Sequence, residues 1–89
     1  MGITVSDMNN DEAIFLAAIS KQIRVELEEH DMEQKDLAEA INIGRPSLNR
    51  YMQGHQVMPM PVFMRVAAAF GLSPAELMSR AWSRVQQEG

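Results

Sequence analysis

The sequence predicts an all-α fold of five helices. Three observations carry the prediction: apolar residues recur at three- and four-residue intervals along most of the chain, no segment alternates apolar and polar residues as a half-buried strand would, and the periodic segments are separated by residues that start or stop helices. With 89 residues and 46% hydrophobic content, the chain is one small domain near the size at which a single core just suffices.

The elements follow in order. Residues 1–10 mix Gly, Ser, Thr, Asp and Asn without a period and read as a flexible N-terminal tail, the domain then occupying 11–87. Asn10 or Asp11 is placed to cap a first helix running to about Glu29, with Leu16, Ile19, Ile23 and Leu27 as its buried stripe; His30 and Asp31 break it. A second helix begins near Glu33 and turns Leu37, Ala38 and Ile41 inward, the small Ala38 allowing a close helix crossing. Asn42 or Gly44 can take the left-handed backbone of a tight turn. A third helix starts near Arg45, where Pro46 is tolerated because first-turn N–H groups lack helical partners anyway. Leu48, Tyr51 and Met52 face inward, and Gly54 is the stop.

Pro59 and Pro61 mark residues 55–61 as a loop. A fourth helix spans about Met60 to Phe70, burying Val62, Phe63, Val66, Ala67 and Phe70, and ends at Gly71. Ser73-Pro74-Ala75-Glu76 reads as a capping box, with Ser73 as N-cap and Glu76 reaching back. It opens a C-terminal helix over about 74–87, with Leu77, Met78, Ala81, Trp82 and Val85 on one broad face.

Charge is distributed unevenly. Residues 1–39 hold three basic residues against ten acidic ones (−7), residues 40–84 hold five arginines against Glu76 (+4), and Glu88 completes the net −4. The total argues against strong non-specific affinity for nucleic acid, but binding responds to the local field at the contact surface. The absence of cysteine excludes disulfides and thiolate metal sites and fits a reducing, cytoplasmic setting. No apolar run approaches the ~18 residues needed to cross a bilayer, and the start of the chain lacks the pattern of a signal peptide. No phosphate-binding glycine loop, nucleophile–base pair or metal-ligand spacing is present, so neither an enzyme nor a cofactor is expected. His30 and His55 read as surface residues, and Arg65 chiefly as a solvated helix residue. Met58 and Met60, beside prolines, are less easily buried and could line a partner surface.

The stretch Glu33–Gly54 carries the most information. Its apolar residues fall only where two crossed helices would touch, leaving Arg45, Ser47, Asn49 and Arg50 pointing away, an arrangement that can push a helix edge into the DNA major groove. The order Gln34-x-x-Leu37-Ala38-x-x-Ile41-x-Ile43-x-x-x-x-Leu48-x-x-Tyr51-x-x-Gly54, followed by Pro59, resembles the helix-turn-helix of the phage Cro and lambda-repressor-like family of transcription regulators. The resemblance extends in spacing from about Ile19 to Leu77. It implies a compact five-helix lambda-repressor-like domain with the helix-turn-helix at helices two and three.

By that resemblance the DNA-binding residues are Gln34, at a phosphate, and Arg45, Pro46, Ser47, Asn49 and Arg50, at base edges or phosphates. Arginine can pair bidentately with guanine and asparagine with adenine. Pro46 offers only an apolar contact, and Ser47 can serve a phosphate as easily as a base. Three departures stand out. Glu33 and Gly44 occupy helix starts where the family favours Ser, Thr or Asn, which implies weaker caps. The turn after Gly54 carries His55 and Gln56 where relatives are often basic. Leu27 and Met52 stand where many relatives pair an Arg with a Glu, which implies an apolar contact between them in place of an ion pair.

These readings lead to a sequence-specific DNA-binding transcriptional regulator, a small phage, prophage or bacterial repressor that binds double-stranded DNA at a palindromic operator as a homodimer. Helix five or the segment before it is the expected dimer surface. The chain leaves no room for a sensor domain beyond the DNA-binding unit. The alternative is a helix-turn-helix protein-binding module, such as an antitoxin or partner-sequestering regulator, that presents acidic Glu26, Glu28, Glu29 and Asp31 to a basic protein partner.

Overall fold

A computed structural model describes the backbone of residues 3–88 and the side chains of 12–86. Over that range the chain forms α1 (Ile3–Glu29), α2 (Gln34–Ala40), α3 (Arg45–Met52), α4 (Met60–Ala69) and α5 (Pro74–Glu88), with no strand among the described residues. The core is one cluster built from Ile23, Leu27, Leu37, Ala38, Ile41, Leu48, Met52, Phe63, Val66, Ala67, Phe70 and Leu77. Each large side chain fully buried there, such as Ile23, Leu37, Leu48 or Leu77, contributes about 1.5–3 kcal/mol. No helix among the described residues is long and apolar enough to cross a membrane.

α1 differs from expectation at its start. The helix begins at Ile3, upstream of the expected caps at Asn10 and Asp11. Neither proline nor glycine occurs between Ile3 and Glu29, so no residue there removes an amide donor or favours a break, and a helix anchored downstream propagates through polar residues that would otherwise cap it. Residues 1 and 2 lie outside the described residues. The expected stripe is found from Ile19 onward: Ile23 and Leu27 are buried and Ile19 packs against the cluster from a half-buried position, whereas Leu16 is half-buried and lies outside the cluster. Leu27 shares that cluster with Met52, in keeping with the expected apolar contact.

α1 ends as a left-handed cap. Asp31 takes φ 57°, and the Met32 N–H returns to the Leu27 carbonyl at 2.8 Å. His30 stays local: its Nδ1–H donates to the Glu26 carbonyl at 2.9 Å and its ring lies 5.3 Å from that of Phe70. Gly54 (φ 79°) and Gly71 (φ 72°) close α3 and α4 in the same manner, with the His55 and Leu72 N–H groups returning to Arg50 and Ala67.

The α1–α5 contact holds the main surprise of the packing. Glu26, expected on an acidic surface, is 1% exposed. Its Oε2 accepts from Arg80 Nη1 at 2.6 Å and Gln22 Nε2 at 2.8 Å, while Arg84 Nε donates to Gln22 Oε1 at 2.6 Å. Glu26 Oε1 has no partner among the described residues. The hydrogen bond that Arg80 donates to Glu26 holds its guanidinium above its ordinary pKa, outweighing desolvation, with Glu76 assisting. The acidic outer surface of α1 near its end is therefore Glu28 and Glu29, continued by Asp31.

The expected capping box of α5 is half made. The Glu76 N–H donates to Ser73 Oγ at 3.0 Å, but the Glu76 carboxylate turns to Arg80 Nη2, 3.1 Å away on the next helical turn. An accessible guanidinium one turn along competes for that carboxylate with a backbone N–H. Trp82, expected on the packed face, is half exposed and meets Phe15 edge-on at 5.9 Å.

Candidate nucleic-acid interface

α2 and α3 pack against each other across a four-residue turn, Ile41 to Gly44. Asn42 takes the left-handed conformation (φ 61°), whereas Gly44 is extended (φ −68°, ψ 146°) and serves as the N-cap of α3. The Ile43 N–H returns to the Ala38 carbonyl, and Arg65 Nη1 from α4 donates to the Ile41 carbonyl at 3.3 Å. Arg65 thereby ties the end of α2 to α4. On the other side, Arg24 Nη2 donates to the Met52 carbonyl at 3.2 Å, placing a cation at the negative end of α3. The pair of helices is thus fixed from both flanks by arginines on α1 and α4.

The helix caps match the sequence in part. Gly44 provides no side-chain cap, as expected. At Glu33 the deficit is met from inside the helix: the Glu33 N–H donates to Asp36 Oδ2 at 2.9 Å. Asp36 also sits favourably in the positive first turn of α2.

The outward residues of α3 follow from its short register. Leu48 and Met52 are buried four residues apart, which fixes the inward direction. At about 100° per residue, Arg45, Asn49, Pro46 and Arg50 then follow one another over roughly 140° of one flank, from ~40° off the inward direction to directly opposite it, with Ser47 ~60° further round towards Tyr51. Exposure agrees: Arg45, Pro46, Asn49 and Arg50 are exposed, while Ser47 and Tyr51 are half-buried. Ser47 is therefore set apart from the other four.

Gln34, Lys35, Arg45, Pro46 and Asn49 line one shallow groove between the start of α2 and the start of α3. Gln34 Nε2 donates to Asn49 Oδ1 at 3.4 Å across it. Four of the six residues singled out from the sequence are therefore brought together, with Arg50 on the adjoining flank of α3 and Ser47 further round. Sequence reasoning missed Lys35. Its signal was available, since it adjoins Gln34 at a helix start, but its facing depends on the crossing of α2 and α3. Lys35 Nζ lies 3.9 Å from Glu33 Oε1, a loose and well-solvated pair that leaves the ammonium able to re-pair. Arg45 and Arg50 make no hydrogen bond or ion pair among the described residues.

Chemically, the groove and the adjoining α3 surface carry a lysine, two arginines and two amides on a largely rigid base, the arrangement suited to phosphate oxygens and base edges. Glu33 at the cap of α2, beside Lys35, and Glu39 within α2, near Lys35 and Arg45, are exposed and oppose polyanion approach along that side.

A family model of the Cro/C1-type HTH DNA-binding domain matches residues 22–81. Among solved structures, the clp gene regulator ClgR from Corynebacterium glutamicum has the same fold. It aligns at a TM-score of 0.76 with 19% identity, covering 83% of this chain and 79% of that one. Comparison with curated proteins gave no match.

Proposed function

Because the chain belongs to the Cro/C1-type helix-turn-helix DNA-binding family, we propose that it is a small phage, prophage or bacterial repressor that reads a palindromic operator as a homodimer. The coarser statement, a DNA-binding regulator of transcription, comes with the family. The observation that supports the finer one is the outward set on α3: two arginines without partners among the described residues flank Pro46 and Asn49, beside Gln34 and Lys35. In this reading Gln34 and Lys35 hold phosphates, Arg45, Asn49 and Arg50 meet base edges, Pro46 packs on a thymine methyl, and Ser47 meets a phosphate if it contacts DNA at all. Two copies on half-sites about one helical turn apart double the contact set. The half-exposed Trp82 of α5, with exposed Met60 and Met64 of α4, supports a self-association surface there.

Retention of genomic DNA fragments at low and moderate salt tests the reading. Specific enrichment is expected, and failure to retain DNA even at low salt would overturn it. Sedimentation with and without the selected site tests the dimer, which a monomer under both conditions would refute. The competing reading, a protein-binding module using acidic α1, loses support from the burial of Glu26 against Arg80.

A further inference from the structure

A cavity lies between the first half of α1 and the segment that links α3 to α4, away from the α2–α3 groove. We propose that it is a binding site for a small amphiphilic monoamine: an apolar body the size of one aromatic ring, carrying an ammonium on a short chain. The proposal stands independently of DNA binding.

Size sets the first limit. The cavity measures about 220 Å³ and is walled by Phe15 and Ile19 of α1, Tyr51 of α3, Met58 of the linking segment, Phe63 of α4 and Met78 of α5. An apolar cavity of ~150 Å³ holds one benzene ring, so this one takes a ring with roughly three further heavy atoms. Carbon and sulfur dominate the lining, and the Ser20 hydroxyl in its wall is already turned to the Tyr51 carbonyl at 3.4 Å. The unbranched thioether chains of Met58 and Met78 adapt to an irregular guest and make favourable contacts with aromatic rings.

Charge selects the head group. Glu12 is the one charged side chain lining the cavity among the described residues, and no lysine or arginine lines it there. Its carboxylate is exposed and makes no hydrogen bond or ion pair among those residues. Phe15, Tyr51 and Phe63 share the space, and the faces of such rings also attract a cation. A carboxylate without a partner beside aromatic rings favours an ammonium and repels an anion.

Methionine-methyl NMR of the full chain titrated with phenethylamine tests this. Fluorescence of Trp82, the single tryptophan, gives a second readout because its ring meets Phe15. The Met58, Met60 and Met78 methyl signals are expected to shift saturably, while that of Met32, beyond the far end of α1, keeps its place. Phenethylamine is expected to bind about 1.5- to 5-fold more tightly than phenethyl alcohol, the range of an exposed ion pair, and phenylpropionate more weakly than either. Glu12→Gln, at an exposed position, is expected to bring the amine and the alcohol level. Absence of a saturable shift at the three methionines overturns the proposal. So does wild-type protein that binds the alcohol as tightly as the amine, or a preference for the amine that survives Glu12→Gln. Methyl signals that move with protein concentration but not with phenethylamine would assign the cavity to self-association and overturn it too.

Discussion

Replacing Gly44 by serine and Asn42 by alanine probes the turn between α2 and α3 with opposite expected signs. Gly44 is extended, not left-handed, and a Cβ built there meets only Pro46 Cδ, at an ordinary 3.7 Å. Its glycine flexibility is therefore unused in the fold and costs entropy, worth about 0.4–1 kcal/mol on substitution. A serine also adds an acceptor at the N-cap. Pro46, in the first turn, has no N–H, so the N–H of Ser47 is the orphan donor it would serve, adding a few tenths of a kcal/mol over glycine.

Gly44→Ser should thus stabilise by about 0.5–1 kcal/mol, raising the melting temperature by about 2–8 °C. Asn42, at φ 61°, is in the left-handed region, where a β-carbon costs about 1–2 kcal/mol and asparagine is among the more tolerant residues. Asn42→Ala should therefore lose about 0.5–1 kcal/mol, and Asn42→Gly should not. Thermal unfolding of the full chain followed by circular dichroism at 222 nm reads all three. A Gly44→Ser variant melting below wild type, or an Asn42→Ala variant melting at or above it, would show that the left-handed residue has been misassigned.

Other expectations concern the core, the interface and the salt response. Glu26→Met should cost no more than about 1–2 kcal/mol in urea unfolding, because it removes a buried carboxylate with an orphan oxygen, and of the two donors it strands, the partly exposed Arg80 keeps Glu76 and solvent while Gln22 loses its acceptor. Leu77→Ala, at a fully buried apolar site, should cost about 2–5 kcal/mol, so the reverse ranking would contradict the packing described. Arg45→Ala and Arg50→Ala should each relax base preference at one position of a selected site by about 1–3 kcal/mol, as measured by competition binding. With Lys35, Arg45 and Arg50 as the available phosphate neutralisers, log affinity against log salt should fall with a slope of at most about −3 per protomer. A much steeper slope would place further cations on the DNA.

What was legible in the sequence was mostly local. The four-residue spacing of Ile19, Ile23 and Leu27, and the stops at Gly54 and Gly71, depend on neighbours within a turn or two, and they fix helix type and inward face. The turn at 42–44 was legible as a turn, but two residues could serve as its left-handed element, and only the backbone distinguishes Asn42 from Gly44. Glu26 was misread because its partner Arg80 lies 54 residues away; on a helix net it stands among Glu28 and Glu29 and looks solvated. Glu76 failed as a capping partner for a related reason, since Arg80 lies one turn along and competes for it. At the candidate site, the outward face of α3 followed from Leu48 and Met52. Lys35 and the Gln34–Asn49 contact depend on how two helices cross, which no single-helix periodicity encodes.

The α1–α5 clasp has a consequence for how this acidic molecule meets a polyanion. Of the five arginines downstream of residue 40, Arg65, Arg80 and Arg84 are spent on contacts within the protein, which leaves Arg45 and Arg50, both on α3, as the outward pair. A charge imbalance spread along half the sequence is thereby focused in space onto one short helix of an otherwise negative body. In an encounter with DNA such a body is repelled in most orientations and attracted in few, so unproductive collisions part quickly. Selectivity of approach then precedes any reading of bases.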